Sequence, residues 1–240
     1  MSLQIRASHD DLVKIINDFN PEYHKDYEDV RKLAKLYFGN KSCDDNTKVL
    51  AVKLRNVLCS WGASKRKAPH LKETAIIVKF LVREDVRLIL KRFGDRDEEV
   101  VIHLISVLQM FSDEIFEKNT NVTYPMKALL LLTGFMPALD SQVREGLKKS
   151  NFSGFSSTQF LMPDSVKSVN AHKILSLYHH LMECQKKYNN LLSSVAEHSK
   201  YPHLTNETGR IFDILFFMNA KRVNSIFFFD DTEYVKWYCL

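Results

Sequence analysis

Glycine and proline are scarce. Seven glycines and six prolines in 240 residues are too few for a sandwich or barrel built from many short strands and turns, so the balance falls to helices. The four cysteines, Cys43, Cys59, Cys184 and Cys239, are scattered and form no CxxC pair. That spacing argues against a four-thiolate zinc site or iron–sulfur cluster and leaves reduced, partly buried thiols as the expectation. No apolar run approaches the roughly 18 residues of a membrane span. The opening stretch, "MSLQIRASHDDLVKI", lacks the apolar core of a signal peptide, so a cytoplasmic location is expected. Asn-x-Ser/Thr matches such as those at Asn121, Asn151 and Asn206 carry little meaning without a secretion signal. There is no Ser-His-Asp spacing, no phosphate-cradling glycine loop and no HExxH, and neither a cofactor nor a metal is expected.

What is present is a large apolar complement, 45% of the chain, enough to close a real interior. The net charge of +5 and a pI of about 8.9 make the protein mildly basic, compatible with a polyanion such as DNA without demanding one. The expected fold class is all-α, with residues 1–240 as a single helical domain.

Helical spacing predicts the elements. Ser8 caps a helix carrying Leu12, Ile15, Ile16 and Phe19 that ends before Pro21. A second runs from about Tyr27 to Phe38 and is closed by Gly39-Asn40. A third covers "NTKVLAVKLRNVLCSWG", with Val49, Val52, Leu54, Val57, Leu58 and Trp61 on its apolar face. After a basic connector, residues 63–73, helices are predicted over Thr74–Val82 and Asp85–Phe93. "EEVVIHLISVLQMFSDEIF" then reads as one long central helix with His103 as a core histidine. Pro125 stands at the start of the next helix, where its missing N–H costs nothing. A last long helix is predicted from about Ser168 to His198, followed by "TGRIFDILFFMNA". The aromatic tail "SIFFFDDTEYVKWYCL" is expected to pack on the body, because that much exposed Phe, Tyr and Trp would invite association.

One segment asks for chemistry. In "GFMPALDSQVREGL", residues 134–147, an acid follows an oily helix and a Met-Pro-Ala-Leu loop and precedes a polar helix start. Asp140 at that N-cap is explained without any further role by a bond to its own helix, which stabilises by about 1 kcal/mol. It is equally a carboxylate that a cleft can present to a ligand, and a capping carboxylate can do both.

The succession Gly134, Pro137, Asp140, Val143 and Arg144 resembles part of the helix-hairpin-helix DNA glycosylases, over about 25 residues. In that superfamily the aspartate stabilises the sugar cation formed as the base departs, or activates a nucleophile. The resemblance implies a two-lobed helical architecture, the lobes meeting near 63–73 and 134–140, and Asp140 as the catalytic residue. The chain departs from the family at the hairpin, where "NTNVTYP" has no glycine for a phosphate-holding turn. It lacks the family's four-cysteine cluster too. The Schiff-base lysine of bifunctional members would fall near Thr123, and that role does not pass to Lys127, one turn on. "LAVKLRNVLCSWGASKRKAP" is similar to a branch of bacterial and phage proteins that keeps the Pro-x-x-Asp loop and lacks the hairpin.

Other candidates are cationic. Lys65, Arg66, Lys67 and Lys72 crowd the connector beside Trp61, a combination that suits phosphates and a stacked base as well as a plainly solvated loop. With Lys127 and Arg144, the residues Lys65, Arg66 and Lys67 are the candidate nucleic-acid contacts. His172, His179 and Glu183 share a helix face where a metal is conceivable, but a polar exposed face accounts for them. Two functions are therefore expected: DNA binding with base-excision-type chemistry through Asp140, or a non-catalytic helical module that binds another protein.

Overall fold

The computed structural model describes residues 3–39, 44–65, 68–117, 120–152, 154–155 and 169–229. Arg66, Lys67, Cys43, Cys239 and the tail beyond 229 lie outside the described residues. The fold is all-α: twelve helices among the described residues, with a single two-residue strand pair.

The first helix, α1 (His9–Asp18), starts as its sequence predicts, with the Ser8 hydroxyl accepting from the Asp11 N–H. The second, α2 (Pro21–Gly39), begins six residues earlier than the apolar spacing suggests. Its start is chemical: the Asn20 side chain accepts from the Glu22 N–H, and Pro21 brings a preset φ to the first helical position. Next to α2 packs α3 (Asp44–Ser60). Its buried face is Leu50, Ala51, Leu54, Val57 and Leu58, whereas Val49 and Val52, assigned to that face from spacing, are exposed. Helices α4 (Thr74–Leu81) and α5 (Glu84–Gly94) follow as predicted.

The predicted long central helix is two pieces, α6 (Glu98–Val101) and α7 (Leu104–Ile115). The break at Ile102-His103 turns both side chains outward, so His103 is exposed instead of buried. The more deeply buried helix is α8 (Thr123–Thr133), enclosed from Pro125 to Thr133; its apolar residues run all round, which suits burial on every side. Beyond it come α9 (Ser141–Lys149), α10 (Val169–Lys187), α11 (Asn189–His198) and α12 (Thr208–Asn219). The predicted Ser168–His198 helix is thus interrupted at Tyr188, whose backbone leaves helical geometry. Residues Gln4–Ile5 (β1) and Phe227–Phe228 (β2) pair antiparallel, and Phe227 and Phe229 are buried, so the described part of the aromatic tail does pack on the body.

Helix α12 is buried over most of its length and packs on α9 and α1. Its start meets the end of α8 with almost no space between backbones. Gly134 closes α8 at a left-handed φ of 69°, and a Cβ on Gly209 would stand 2.2 Å from the Gly134 carbonyl oxygen. Only glycine at 209 permits that approach. Over the same junction Glu207 accepts from the Tyr27 hydroxyl at 2.7 Å and from Arg31 Nε at 3.0 Å, and pairs with Lys35 Nζ at 2.8 Å. Burial opposes its charge, yet these three partners together hold the Glu207 carboxyl below the usual range. Arg31 Nη1 also donates to the Leu132 carbonyl, so the network ties α2 and α8 to the start of α12, which carries Arg210, Asp213 and Phe217 of the candidate site.

Beside this junction His24 is 1% exposed, stacked on Tyr201 at 3.5 Å, with Nε2 3.1 Å from the Ile16 carbonyl and Nδ1 without a partner. Burial, reinforced by Arg210, pushes its pKa down to about 3. The folded protein therefore keeps His24 neutral where the unfolded chain, titrating near 6.5, takes up a proton. Stability attributable to this residue is unchanged above pH 6.5 and falls as pH drops from 6.5 toward 3, by at most about 1.4 kcal/mol per pH unit. Urea titrations at pH 7.5, 5.5 and 4.5 are expected to show this slope in the wild type and a shallower one in His24→Gln. Equal slopes in the two proteins would contradict it.

Candidate functional site

The loop that carries Asp140 is held from both sides. The Asp213 carboxylate accepts from the Ala138 N–H at 2.9 Å. The Leu139 carbonyl accepts from Arg144 Nη1 at 2.7 Å and from the Thr123 hydroxyl at 3.3 Å. Leu139 itself has a φ of 52°, an uncommon left-handed conformation for a residue with a branched side chain. These clamps fix the direction in which Asp140 leaves the loop.

Asp140 divides its two oxygens between two tasks. Oδ1 accepts from the N–H groups of Gln142 and Val143, both at 3.0 Å, and so caps α9. Oδ2 has no hydrogen bond; its nearest cation is Lys127 Nζ at 3.9 Å. The side chain keeps 23% of its exposure and lines a cavity of about 60 Å³. Around that cavity stand the rings of Phe19, Tyr23, Trp61 and Phe217 together with Lys127, Arg210 and Asp213.

Each charge in the cavity has an assigned partner. Lys127, from α8, is nearly enclosed and donates to the Trp61 carbonyl at 2.7 Å, just past the end of α3. Burial lowers its pKa, while Asp140 works in the opposite direction. Arg210 is 1% exposed. Its guanidinium donates to Asp213 at 2.5 Å and to the Tyr23 carbonyl at 3.2 Å. It also lies over the rings of Trp61, Phe19 and Tyr27 at 4.9, 5.1 and 5.1 Å. Burial, with Asp140 adding to it, holds the Asp213 carboxyl above the usual range although Arg210 opposes the shift. Two cations face two carboxylates, so the cavity is nearly neutral inside, walled by aromatic faces, with one carboxylate oxygen uncommitted.

The candidate residues end up in different places. Asp140 and Lys127 meet in the cavity beside Trp61. Arg144 does not reach it; burial depresses its pKa, and its guanidinium is spent on Thr123 and Leu139. Lys65 is exposed and its amine lies 3.4 Å from the Ser60 carbonyl, while Lys72 donates to the Asp113 carbonyl. His172 and His179 are exposed on α10. Among the described residues, no group of three or more His, Cys, Asp or Glu side chains is arranged to hold a metal, and no helix is long and apolar enough to cross a membrane.

Spacing did not single out Arg210 and Asp213, which form the floor of the cavity. The signal for them was nonetheless present in "TGRIFDILFFMNA": an Arg and an Asp three apart inside an apolar helix have to meet each other, because neither charge can be buried alone. Tyr23, Phe19 and Phe217 carried no comparable signal, since aromatic residues at helical spacing ordinarily fill a core. No family model, curated protein or solved structure matches the chain.

Proposed function

We propose that the protein binds nucleic acid and receives a base in the Asp140 cavity, with base-excision-type chemistry through that carboxylate. The observation that carries this reading is the divided role of Asp140. One oxygen finishes the α9 cap, and the other is aimed at an aromatic-walled opening beside a desolvated lysine.

The chemistry follows from the surroundings. A planar, neutral ring gains from stacking on aromatic faces whatever its hydrogen-bonding edge. The paired charges leave little net attraction for a phosphate inside the cavity, so a base suits it better than backbone does. At about 60 Å³ the cavity has room for several waters and admits the edge of a ring from its open side, with Tyr23 and Trp61 as the walls. A cation developing on the attached sugar is stabilised by a fixed carboxylate oxygen that needs no reorientation at the moment of reaction. Exposed cations such as Lys65 supply the longer-range attraction for the strand.

A fluorescence titration tests binding. With Trp237→Phe removing the other of the two tryptophans, a single-stranded oligonucleotide is expected to quench Trp61. Its affinity is expected to fall roughly 20-fold between 50 and 200 mM salt if about three phosphates are contacted. An absence of binding at low salt, or binding that leaves Trp61 emission unchanged, would overturn the proposal. A protein-binding helical module is the second reading. It rests on the exposed Leu36, Val49 and Val52 of the packed pair α2 and α3, and it predicts no response to the oligonucleotide at all.

A further inference from the structure

Helix α12 has a second cavity on its other side. At 100° per residue, Arg210, Asp213 and Phe217 share one face while Thr208 and Ile211 share the opposite one. The latter two line a separate opening of about 140 Å³, whose polar wall is Arg96, Gln185, Asn189, Ser193, Asn206 and Thr208. The wall is assembled from the turn after α5, from α10 and α11, and from the start of α12.

Arg96 is the one charged group in that wall. It is half-buried, and burial depresses its pKa. Its side chain makes a single hydrogen bond, Nη1 to Gln185 Oε1 at 2.8 Å, and has no carboxylate at ion-pair distance, unlike Arg31 and Arg210, which each face one. The neutral groups around it are likewise uncommitted: the side chains of Asn189, Ser193, Asn206 and Thr208 make no hydrogen bond to another described residue. A desolvated guanidinium ringed by spare donors lacks an acceptor.

The backbone adds an independent reason. Helix α5 closes with Arg96 N–H donating to the Phe93 carbonyl at 3.1 Å and Asp97 N–H to the Arg92 carbonyl at 3.0 Å. In this closing pattern the left-handed residue is ordinarily glycine. Here that residue is Arg96, at φ 56°, although Gly94 lies only two positions earlier. Asn206, on the far wall, is left-handed too, at φ 65°. A long cationic side chain held where glycine would be easier suggests that the side chain itself is what the position requires.

We infer that this cavity binds a small oxyanion, a phosphate or carboxylate group, through the Arg96 guanidinium and the Asn189, Ser193, Asn206 and Thr208 donors. A guanidinium presents a planar fork matched to two oxygens of either group, and no wall residue is acidic. The volume suits one such group with part of the small molecule that bears it.

Calorimetric titration and thermal melting with inorganic phosphate, with acetate, and with chloride at matched ionic strength test the inference. Phosphate or acetate is expected to bind saturably and raise the melting temperature where chloride does not, and whichever of the two acts identifies the oxyanion. Arg96→Gly suits the left-handed backbone, so it is expected to melt no lower than wild type while its affinity for the active anion falls at least tenfold. Ser193→Asp, which supplies a carboxylate inside the cavity, is expected to remove the response as well. No saturable binding of either anion to the wild type, or binding that survives Arg96→Gly, overturns the inference.

Discussion

Replacing Asp213 by alanine is expected to cost about 3–5 kcal/mol of stability, the range for breaking a buried ion pair from one side. For a chain of this length that lowers the melting temperature by roughly 6–20 °C. Arg210 would be left almost fully enclosed with one carbonyl, at 3.2 Å, and three aromatic rings as its surroundings. Its Nε has no partner even with the aspartate in place. The rings offset part of the lost attraction through their π faces but cannot replace a carboxylate at 2.5 Å. The Ala138 N–H loses its acceptor in the same change, so the loop before Asp140 loosens. Removing both charges, as in Arg210→Met with Asp213→Leu, is expected to recover part of the loss, because no charge is left stranded while the Ala138 N–H still lacks its acceptor. Urea unfolding measures all three proteins. A single replacement costing under about 1 kcal/mol would mean that water reaches Arg210.

The all-α architecture was legible because glycine and proline are rare and the apolar residues recur at helical spacing. Caps were legible where their chemistry is local, as at Ser8 and Asp140. Long-range consequences were not. Nothing nearby in sequence says that the backbone breaks at Ile102-His103, and that break turns a histidine expected in the core into an exposed one. Val49 and Val52 fit a helical stripe as well as Leu50 and Ala51 do. Which stripe is buried is decided by α2, α4 and α8, which pack on α3. The site was half legible: the Met-Pro-Ala-Leu-Asp loop announced a carboxylate at a helix start, but its neighbours arrive from α1, α2, α3 and α12. The meeting of Lys127 with Asp140 at 3.9 Å depends on how α8 turns back at Gly134. The connector cations drew attention by their density alone; of those described, Lys65 is exposed and Lys72 is engaged with the Asp113 carbonyl.

The second large effect concerns function, and it turns on a difference between two substitutions at one position. Asparagine caps a helix about as well as aspartate, whereas alanine does not. Asp140→Asn is therefore expected to keep nearly all stability, and Asp140→Ala to lose about 1 kcal/mol. Chemistry has the opposite dependence, since it needs the charge on Oδ2 and not the cap made by Oδ1. Removing a preorganised electrostatic contact of this kind commonly costs about 10²–10³-fold in rate. Lys127, already at 3.9 Å from Oδ2, would lose its counter-charge in both variants, so any change in its behaviour follows the charge and not the cap.

The decisive measurement is base release from duplexes carrying damaged or mismatched bases, by wild type, Asp140→Asn and Asp140→Ala, alongside the unfolding free energy of each. The expected result is free base from at least one duplex with the wild type, a loss of at least about 100-fold in both variants, and a stability loss confined to alanine. Should the wild type release no base, and should asparagine behave as wild type in every assay, Asp140 serves only to begin α9.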